Sequence, residues 1–231
     1  MGKSTRTLKQ KEVERIIESL SRAIAHHLLP PGTRLVEAQI VDSLGVNRNH
    51  VQAALQRLAL QKIITIEPNR GAHVSQPSAQ EAREIFVARR SIERAVVESI
   101  TSDRMHLFER EIDAHITAEI KATQASDRRA IVRELSEFHR LLGRISGNSV
   151  LADILDNLMV RSSLIVALYQ RNDEPTCQHD EHMSILKALQ ADDKEKAVML
   201  MQHHLDHLER ELALEEKNSQ TIDLRAVLAI A

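Results

Sequence analysis

The segment that decides the fold runs from Asp42 to Ala72 and reads DSLGVNRNHVQAALQRLALQKIITIEPNRGA. Gly45 follows an apolar residue and is the residue type that most readily adopts the left-handed conformation that ends a helix. Asn47 then supplies a side-chain oxygen for the first free amides of a new helix. The segment therefore predicts a helix-turn-helix whose second helix extends from about Arg48 to Gln61.

This second helix has one apolar side and one side of hydrogen-bond donors. The residues expected to face inward are Val51, Leu55, Leu58 and Leu60. The residues expected to face outward are Arg48, Asn49, His50, Gln52 and Arg57. Side chains of these outward types contact phosphates and read base edges in duplex DNA. We therefore expect a recognition helix that enters the major groove.

Two short alternating runs follow this helix, from Ile63 to Glu67 and from Ala72 to Ser75. The turn residues between them, PNRG, predict a hairpin. Its tip carries Arg70 and Gly71, which we expect to contact DNA as a wing. The alternative is a surface helix and hairpin whose charges only interact with solvent.

The charge distribution supports two separate parts. The 231-residue chain has a formal net charge of −2. Residues 1–76 carry 11 Lys and Arg against 6 Asp and Glu (+5), and residues 77–231 carry 20 against 27 (−7). The basic part can approach phosphates while the acidic part stays away from them.

Other features of the composition favour an ordinary globular protein of the cytoplasm. The single cysteine, Cys177, cannot form an internal disulfide. The first residues lack the apolar core of a signal peptide, and no apolar run approaches the ~20 residues of a membrane span. Aromatic residues make up 2% of the chain and there are six glycines, so we expect a mainly helical protein without a membrane partner.

Periodicity and turn residues divide the chain into four parts. We expect a basic arm at residues 1–9 and a winged helix-turn-helix domain at 10–76, whose first helix, about Gln10 to His27, buries residues from Val13 to Leu28. An all-helical domain for ligand binding and dimerisation is expected at 77–216, followed by a tail at 217–231. The fold class is therefore mainly α, with three helices and a two-stranded wing ahead of a helical bundle.

Six helices are expected in the second domain. They are placed at about 79–100, 102–123, 126–146, 148–170, 177–191 and 193–216, with a break at Asp173 to Thr176. Ser78 begins the first of them with a capping box. The inward side of the second helix is expected to include Ile112, Ile116 and Ile120.

Three histidines in this domain have apolar neighbours at helical spacing. They are His139, His182 and His204. If they converge, their imidazoles form a three-nitrogen site for zinc, nickel or a similar ion. The alternative is three separate core histidines, because spacing along the chain does not establish convergence.

The amino-terminal part resembles the winged helix-turn-helix of the GntR superfamily. The resemblance rests on Pro31-Gly32-Thr33-Arg34-Leu35-Val36-Glu37, the Leu44-Gly45-Val46 turn and the wing Asn69-Arg70-Gly71-Ala72-His73-Val74. It implies a bacterial transcription regulator that binds a palindromic DNA operator as a homodimer. By position, Arg48, Arg57, Arg70 and Gly71 match DNA-contacting places of the family.

One departure from this pattern concerns operator sequence. Family members commonly read Ser-Arg-Thr-Pro-Val-Arg-Glu-Ala-Leu where this chain reads NRNHVQAAL, so Gln52 replaces an arginine. Arginine suits the O6/N7 edge of guanine and glutamine suits adenine. We expect a changed operator sequence with DNA binding retained.

Residues 79–211 resemble the all-helical FCD effector domain of the FadR-like branch. The resemblance rests on IFVARRSIERAVVE, EFHRLLGRISGN, DEHMSILKALQADDKEKA and MQHHLDH. It implies that His139, His182 and His204 bind a metal and that a small organic acid completes the site. The family's aspartate position is occupied by Leu135, so the only anionic protein ligand is missing. The remaining nitrogens can hold an ion with water or an effector carboxylate, or can bind an anion without metal.

Two arginines are candidates for binding the acid. Arg89 matches the first-helix arginine of the family, and Arg161 lies among hydroxyl and apolar residues. A guanidinium pairs with a carboxylate through two hydrogen bonds. The alternative for Arg89 is an exposed arginine paired with Glu93.

Two other classes of function remain open from the residues. A metal-dependent helical enzyme would need a nucleophile and base or a second carboxylate near the histidines, and no convincing pairing is visible. An architectural DNA binder would carry a helical domain that senses no ligand. We expect a ligand-responsive repressor that is not an enzyme.

Overall fold

The amino-terminal part forms a helix-turn-helix followed by a small sheet. The computed structural model describes residues 8–125, 128–170 and 179–214. Helix α1 spans Leu8–Ala25, α2 spans Glu37–Leu44 and α3 spans Arg48–Leu60. The turn is made as predicted, since Gly45 has a left-handed backbone (φ 62) and the Asn47 side chain accepts a hydrogen bond from the Asn49 amide.

The wing belongs to a sheet of three strands, where two were predicted. Strand β1 spans Arg34–Leu35, β2 spans Ile64–Glu67 and β3 spans Gly71–Val74. Strand β3 lies in the middle and pairs antiparallel with both neighbours. The two residues of β1 are too few for alternation to reveal a strand, so only their pairing partner defines it.

The helices of the second part cover most of the remaining chain. They are α4 (Ala79–Ser99), α5 (Ser102–Leu107), α6 (Glu109–Gln124), α7 (Arg128–Ser146), α8 (Ser149–Tyr169), α9 (His179–Gln190) and α10 (Lys194–Arg210). The Ser78 hydroxyl caps α4 at the Glu81 amide, and Asn148 caps α8. None of the helices in the described ranges is long and apolar enough to cross a bilayer.

Two of the expected helices differ in extent. The helix predicted from 102 to 123 is divided into α5 and α6 at Phe108, whose backbone leaves the helical region (φ −102, ψ 10). The last helix ends at Arg210, well before 216, and Leu212 then pairs with Gln170 in an isolated bridge. Residues 1–7, Ser126, Asp127, the break at Asp173 to Thr176, Cys177 and the tail at 217–231 lie outside the described residues.

Three side chains expected inside are exposed. Leu28 follows the end of α1, Leu60 lies at the end of α3 with 84% of its surface exposed, and Ile120 is 40% exposed. Leu60 follows the buried Leu58 by two residues, a rotation of about 200° around the helix, so both cannot face the same core. In α6, Ile120 lies eight residues after the buried Ile112, about 80° around the helix, whereas Glu119 lies seven residues after it, about 20° around. Glu119 therefore faces inward in place of Ile120.

Helix α8 connects the two parts of the chain. Its Val160 and Leu164 belong to the same apolar core as α1, α3 and the sheet. Its Leu155 and Met159 belong to the core of the helical bundle. The amino-terminal part is therefore packed directly on the helical domain.

The leucines of α3 provide a matched test of this packing. Leu58→Ala removes a fully buried side chain and should lower the free energy of unfolding by about 2–5 kcal/mol. Leu60→Ala removes an exposed side chain and should change it by no more than about 0.5 kcal/mol. Urea unfolding followed by circular dichroism measures both. Equal losses in the two variants would contradict the placement of α3.

Candidate functional site

The three histidines of the sequence analysis come together inside the helical domain. His139 lies on α7, His182 on α9 and His204 on α10, and all three are buried. Nε2 of His204 lies 3.4 Å from Nε2 of His182 and 3.3 Å from Nε2 of His139. Their potential ligand atoms all lie within 4.8 Å of one another. We call these residues the histidine cluster.

Each histidine of the cluster donates a hydrogen bond from its Nδ1 to a carboxylate. Nδ1 of His139 lies 2.5 Å from Oε2 of Glu93, and Nδ1 of His182 lies 2.7 Å from Oε1 of Glu119. Nδ1 of His204 lies 2.7 Å from Oε2 of Glu181. A carboxylate in this position holds the proton on Nδ1 and leaves Nε2 as a lone-pair donor.

This arrangement fits a divalent cation. Nε2 of His204 lies 3.4 Å and 3.3 Å from the other two Nε2 atoms, which is close to the separation of about 3.3 Å between tetrahedral ligands at zinc–nitrogen distances of about 2.0–2.1 Å. Imidazole nitrogens are suited to zinc and nickel. With neutral histidines, the buried Glu93 and Glu119, the partly buried Glu181 and Arg89 give the group a net charge of −2 (three negative, one positive), which one divalent ion neutralises.

The electrostatics of the cluster keep the imidazoles neutral. Burial lowers the pKa of His139, His182 and His204 to about 4 in each case, although the neighbouring carboxylates oppose that change. Burial also favours protonation of Glu93, but Arg89 and His139 outweigh it and lower its pKa to about 2. Neutral imidazoles and ionised carboxylates are the forms required for binding a metal.

The sequence analysis did not identify Glu93, Glu119 and Glu181 as parts of a site. Glu119 accepts hydrogen bonds from His115 and His179 as well as from His182, and it is 3% exposed. Glu93 lies one helical turn after Arg89, which is a detectable signal for a pair on one side of α4. A charged residue on the apolar side of α6 was the corresponding signal for Glu119. Neither signal indicates which histidine the carboxylate contacts.

Arg89 is buried beside the cluster. Its Nε donates to Oε1 of Glu93 at 2.7 Å and its Nη1 donates to Oγ of Ser162 at 2.9 Å. Its Nη2 is buried without a hydrogen-bond partner among the described residues. The expected alternative, an exposed arginine, is therefore wrong, although the pairing with Glu93 is present.

A cavity of ≈ 50 Å³ lies between α4, α7 and α8 next to Arg89. We call it the arginine cavity. Its polar lining residues are Arg89, Ser136, His139, Ser162, Ser163 and Gln170. Leu135 also lines it, one turn before His139, so an apolar side chain occupies the position where the resemblance implies an aspartate.

Arg161 is placed elsewhere. Its Nη2 donates to Oε1 of Glu81 at 2.6 Å, and it is not among the residues that line the arginine cavity. Its neighbours on α8, Ser162 and Ser163, face the cavity instead, since consecutive helical residues are about 100° apart.

The residues expected to contact DNA lie on the outer side of α3 and on the wing. Arg48, Asn49, Gln52 and Arg57 are exposed, while His50 is partly buried. Oε2 of Glu37 accepts hydrogen bonds from Nε of Arg48 at 3.0 Å and from Nε2 of Gln52 at 3.1 Å. One carboxylate therefore orients two donors of the recognition helix.

The wing tip is also exposed. Arg70 pairs with Glu67, and its side chain is 77% accessible. Gly71 has a backbone conformation (φ 84) that a residue with a Cβ rarely adopts. The turn thus exposes Arg70 to solvent next to Gly71, which has no side chain to cover its backbone.

Comparison with known proteins identifies both parts of the chain. Residues 12–74 match the model for bacterial regulatory proteins of the gntR family, and residues 84–207 match the FCD domain. The HTH-type transcriptional repressor RspR of Escherichia coli K12 is 28% identical over 201 residues, covering 84% of this chain and 86% of that protein. The repressor NanR of Salmonella newport is 24% identical, with 89% and 88% covered.

The fold is also found among solved structures. E. coli McbR/YncC is similar with a TM-score of 0.73 and 20% identity, covering 85% of this chain and 94% of that one. At this identity the likeness concerns the fold alone.

The lowered histidine pKa values predict a loss of stability in mild acid. The unfolded chain binds protons near pH 6.5, whereas the folded cluster stays neutral down to about pH 4. Stability should therefore fall as the pH drops from 6.5, by roughly 1 kcal/mol per pH unit for each histidine that protonates only when unfolded. Urea unfolding at pH 7, 6 and 5 with a metal chelator present measures this.

The exposed His203 provides the control for this measurement. His203→Gln changes the neighbour of His204 without entering the cluster, so it should keep the same pH slope. A free energy of unfolding that stays constant between pH 7 and 5 would contradict burial of neutral imidazoles.

Proposed function

Since this chain belongs to the GntR family of bacterial regulatory proteins and carries an FCD domain, we propose that it is a repressor released from a palindromic operator by a small carboxylate. It acts as a homodimer, and the acid binds in the arginine cavity. The family and the similar repressors are transcription regulators, not enzymes, which removes the enzymatic alternative. The domain limits at 10–76 and 77–216 are proposed with it.

The observation that carries this proposal is the position of α8. Ser162 and Ser163 of this helix line the arginine cavity, while Val160 and Leu164 pack in the core of the DNA-binding part. Nε2 of His27, just after α1, donates to the carbonyl of Ser163 at 2.9 Å. One helix thus contacts both the candidate ligand and the domain whose position the ligand must change.

Nη2 of Arg89, which has no hydrogen-bond partner among the described residues, supports a carboxylate as the ligand. A buried guanidinium nitrogen that has no partner among the described residues costs free energy, and a carboxylate oxygen would supply the missing acceptor. Ser162 already accepts from Nη1 of the same guanidinium, so an acid that binds Nη2 acts on a side chain fixed to α8.

Release of DNA follows from the geometry of a dimer. Two recognition helices must match half-sites on one side of the duplex, so a change in domain position alters affinity. An acid that prefers one arrangement shifts the equilibrium by its difference in affinity between the two. We propose that the acid prefers the arrangement that does not fit the operator.

The histidine cluster is proposed to hold a divalent metal, with zinc and nickel as the candidates. His139, His182 and His204 would supply the ligand atoms, and Glu93, Glu119 and Glu181 would orient the rings. A bound ion would add positive charge near His139, at the edge of the arginine cavity, and so favour an anionic effector. Leu135 adds no ligand, so a vacant coordination position remains for water or the acid.

The metal proposal is tested by analysis of protein purified without a histidine tag. We expect about one zinc or nickel ion per chain, which is the ordinary content of such a site. His182→Ala should reduce this content strongly, whereas His203→Ala, at an exposed neighbour of the cluster, should leave it unchanged. A content near zero that stays there after zinc or nickel is added would remove the metal from the proposal.

Operator recognition is tested at Gln52. Selection from random duplex DNA should yield a palindrome, and Gln52→Arg should change it at the contacted base pair towards guanine while binding is retained. Gln61→Arg adds the same charge at the exposed residue that follows the end of α3, nine residues from Gln52, and should leave the selected sequence unchanged. No preference for any duplex over bulk competitor would contradict the DNA-binding role itself.

A further inference from the structure

Glu37 contacts two residues of the recognition helix through one oxygen atom. Its Oε2 lies 3.0 Å from Nε of Arg48 and 3.1 Å from Nε2 of Gln52. Arg48 and Gln52 are four residues apart on α3, which places them on one side of the helix. Glu37 is the first residue of α2, and Gly45 ends α2 in the turn that leads to α3. The helix-turn-helix itself therefore holds the carboxylate against the recognition helix.

This contact fixes the orientation of the Gln52 side-chain amide. An ionised carboxylate only accepts hydrogen bonds, so the amide nitrogen of Gln52, and not its oxygen, must face Glu37. A rotation of the amide by half a turn would bring Oε1 against the carboxylate, where two acceptors repel each other. Gln52 is exposed, and its Oε1 makes no hydrogen bond within the described part of the chain. Gln52 therefore offers an acceptor to a molecule that binds along α3.

The orientation of this amide determines which base it can read. In the major groove, adenine and cytosine display amino groups that donate, whereas guanine and thymine display carbonyl oxygens that accept. Oε1 of Gln52 can pair only with a donating amino group. The second N–H of Nε2 can also donate to N7 of adenine, an atom that cytosine lacks. Adenine is therefore favoured, and guanine is disfavoured because its O6 would face Oε1.

Arg48 explains how a carboxylate is tolerated at a surface that approaches phosphates. Its side chain is 73% accessible, and it uses only Nε for Glu37. Its two terminal nitrogens make no hydrogen bond to any residue that the structure describes, so they remain free to contact a phosphate. The guanidinium also offsets the negative charge of Glu37, which would otherwise repel DNA.

We infer that Glu37 is a positioning residue for sequence recognition: it holds the Gln52 amide so that the recognition helix selects adenine and rejects guanine at the base pair that Gln52 contacts. The inference rests on the proposed function, because Gln52 must enter the major groove of an operator. It assigns the selectivity to the pair of residues. A glutamine without this neighbour can rotate and offer Nε2 to O6 or N7 of guanine.

The test uses the full-length protein and an operator selected from random duplex DNA. The base pair that Gln52 contacts is the one at which selectivity disappears in Gln52→Ala. Fluorescence anisotropy then compares duplexes that carry each base pair at that position. We expect the wild type to bind adenine on the order of tenfold more tightly than guanine. Glu37→Gln should remove most of this preference, because an amide of the same size can accept from Gln52 or donate to it.

Asp42→Asn is the matched control for the lost charge. Asp42 is an exposed residue of α2, and its side chain makes no hydrogen bond or ion pair with the described residues. Both substitutions should strengthen binding to every duplex, because each removes one negative charge from the DNA-binding part. Only Glu37→Gln should change the ratio of adenine to guanine affinity. In the Gln52→Ala background it should leave that ratio unchanged, since Glu37 acts through Gln52.

A modified base tests the amide orientation in the wild-type protein. 2-Aminopurine pairs with thymine as adenine does, but it has no amino group in the major groove. Replacing the contacted adenine by 2-aminopurine should weaken binding on the order of tenfold, because Oε1 of Gln52 loses its donor. This measurement decides the orientation even if Glu37→Gln does not fold. An unchanged affinity would overturn the inference.

The outcomes distinguish the inference from the function on which it rests. Selection of guanine or thymine by the wild type at this base pair would overturn the role of Glu37, and so would an adenine preference that Glu37→Gln retains in full. Either result would leave a sequence-specific DNA-binding regulator. Equal binding of all duplexes and of bulk competitor by the wild type would overturn both.

Discussion

Helix α8 is the element on which the rest of the structure depends, because its side chains belong to all three apolar cores. Leu155 and Met159 pack in the helical bundle, Val160 and Leu164 pack with the DNA-binding part, and Leu158 and Ile165 pack with α4 and the segment after α10. A helix whose side chains enter three separate cores is held in place on several of its sides. Its displacement would therefore disturb several interfaces at once, which makes it suitable for transmitting a change from the arginine cavity to the recognition helix.

The second constraint is the burial of charge. Glu93, Glu119 and Arg89 lie with three imidazoles in the interior, Glu181 is partly buried beside them, and each of these groups is stabilised by a specific neighbour. Buried ionised groups are unfavourable unless they are paired, so these contacts determine the positions of α4, α6, α7, α9 and α10 relative to one another. In the described part of the chain, this pairing leaves the Nε2 atoms of the cluster facing one another and Nη2 of Arg89 without a hydrogen-bond partner. These two adjacent positions are the ones proposed for the metal and for the acid.

Polar side chains on the outer side of the recognition helix are also held by a paired carboxylate. Glu37 accepts hydrogen bonds from Arg48 and Gln52, two residues that the sequence analysis assigned to DNA contact. Holding these long side chains before DNA arrives reduces the conformational entropy lost on binding. Glu37 therefore orients these two donors, although its own negative charge does not favour contact with phosphates.

The sequence by itself determined the local elements and the chemistry of individual positions. Gly45, Asn47 and Ser78 were sufficient for the turn and the caps, because these features depend on a few consecutive residues. The convergence of His139, His182 and His204, their pairing with Glu93, Glu119 and Glu181, and the separation of Arg161 from Arg89 were decided only by the tertiary structure. These contacts join residues 46 to 80 positions apart in several cases, and helical periodicity specifies which side of a helix is apolar without specifying its partner.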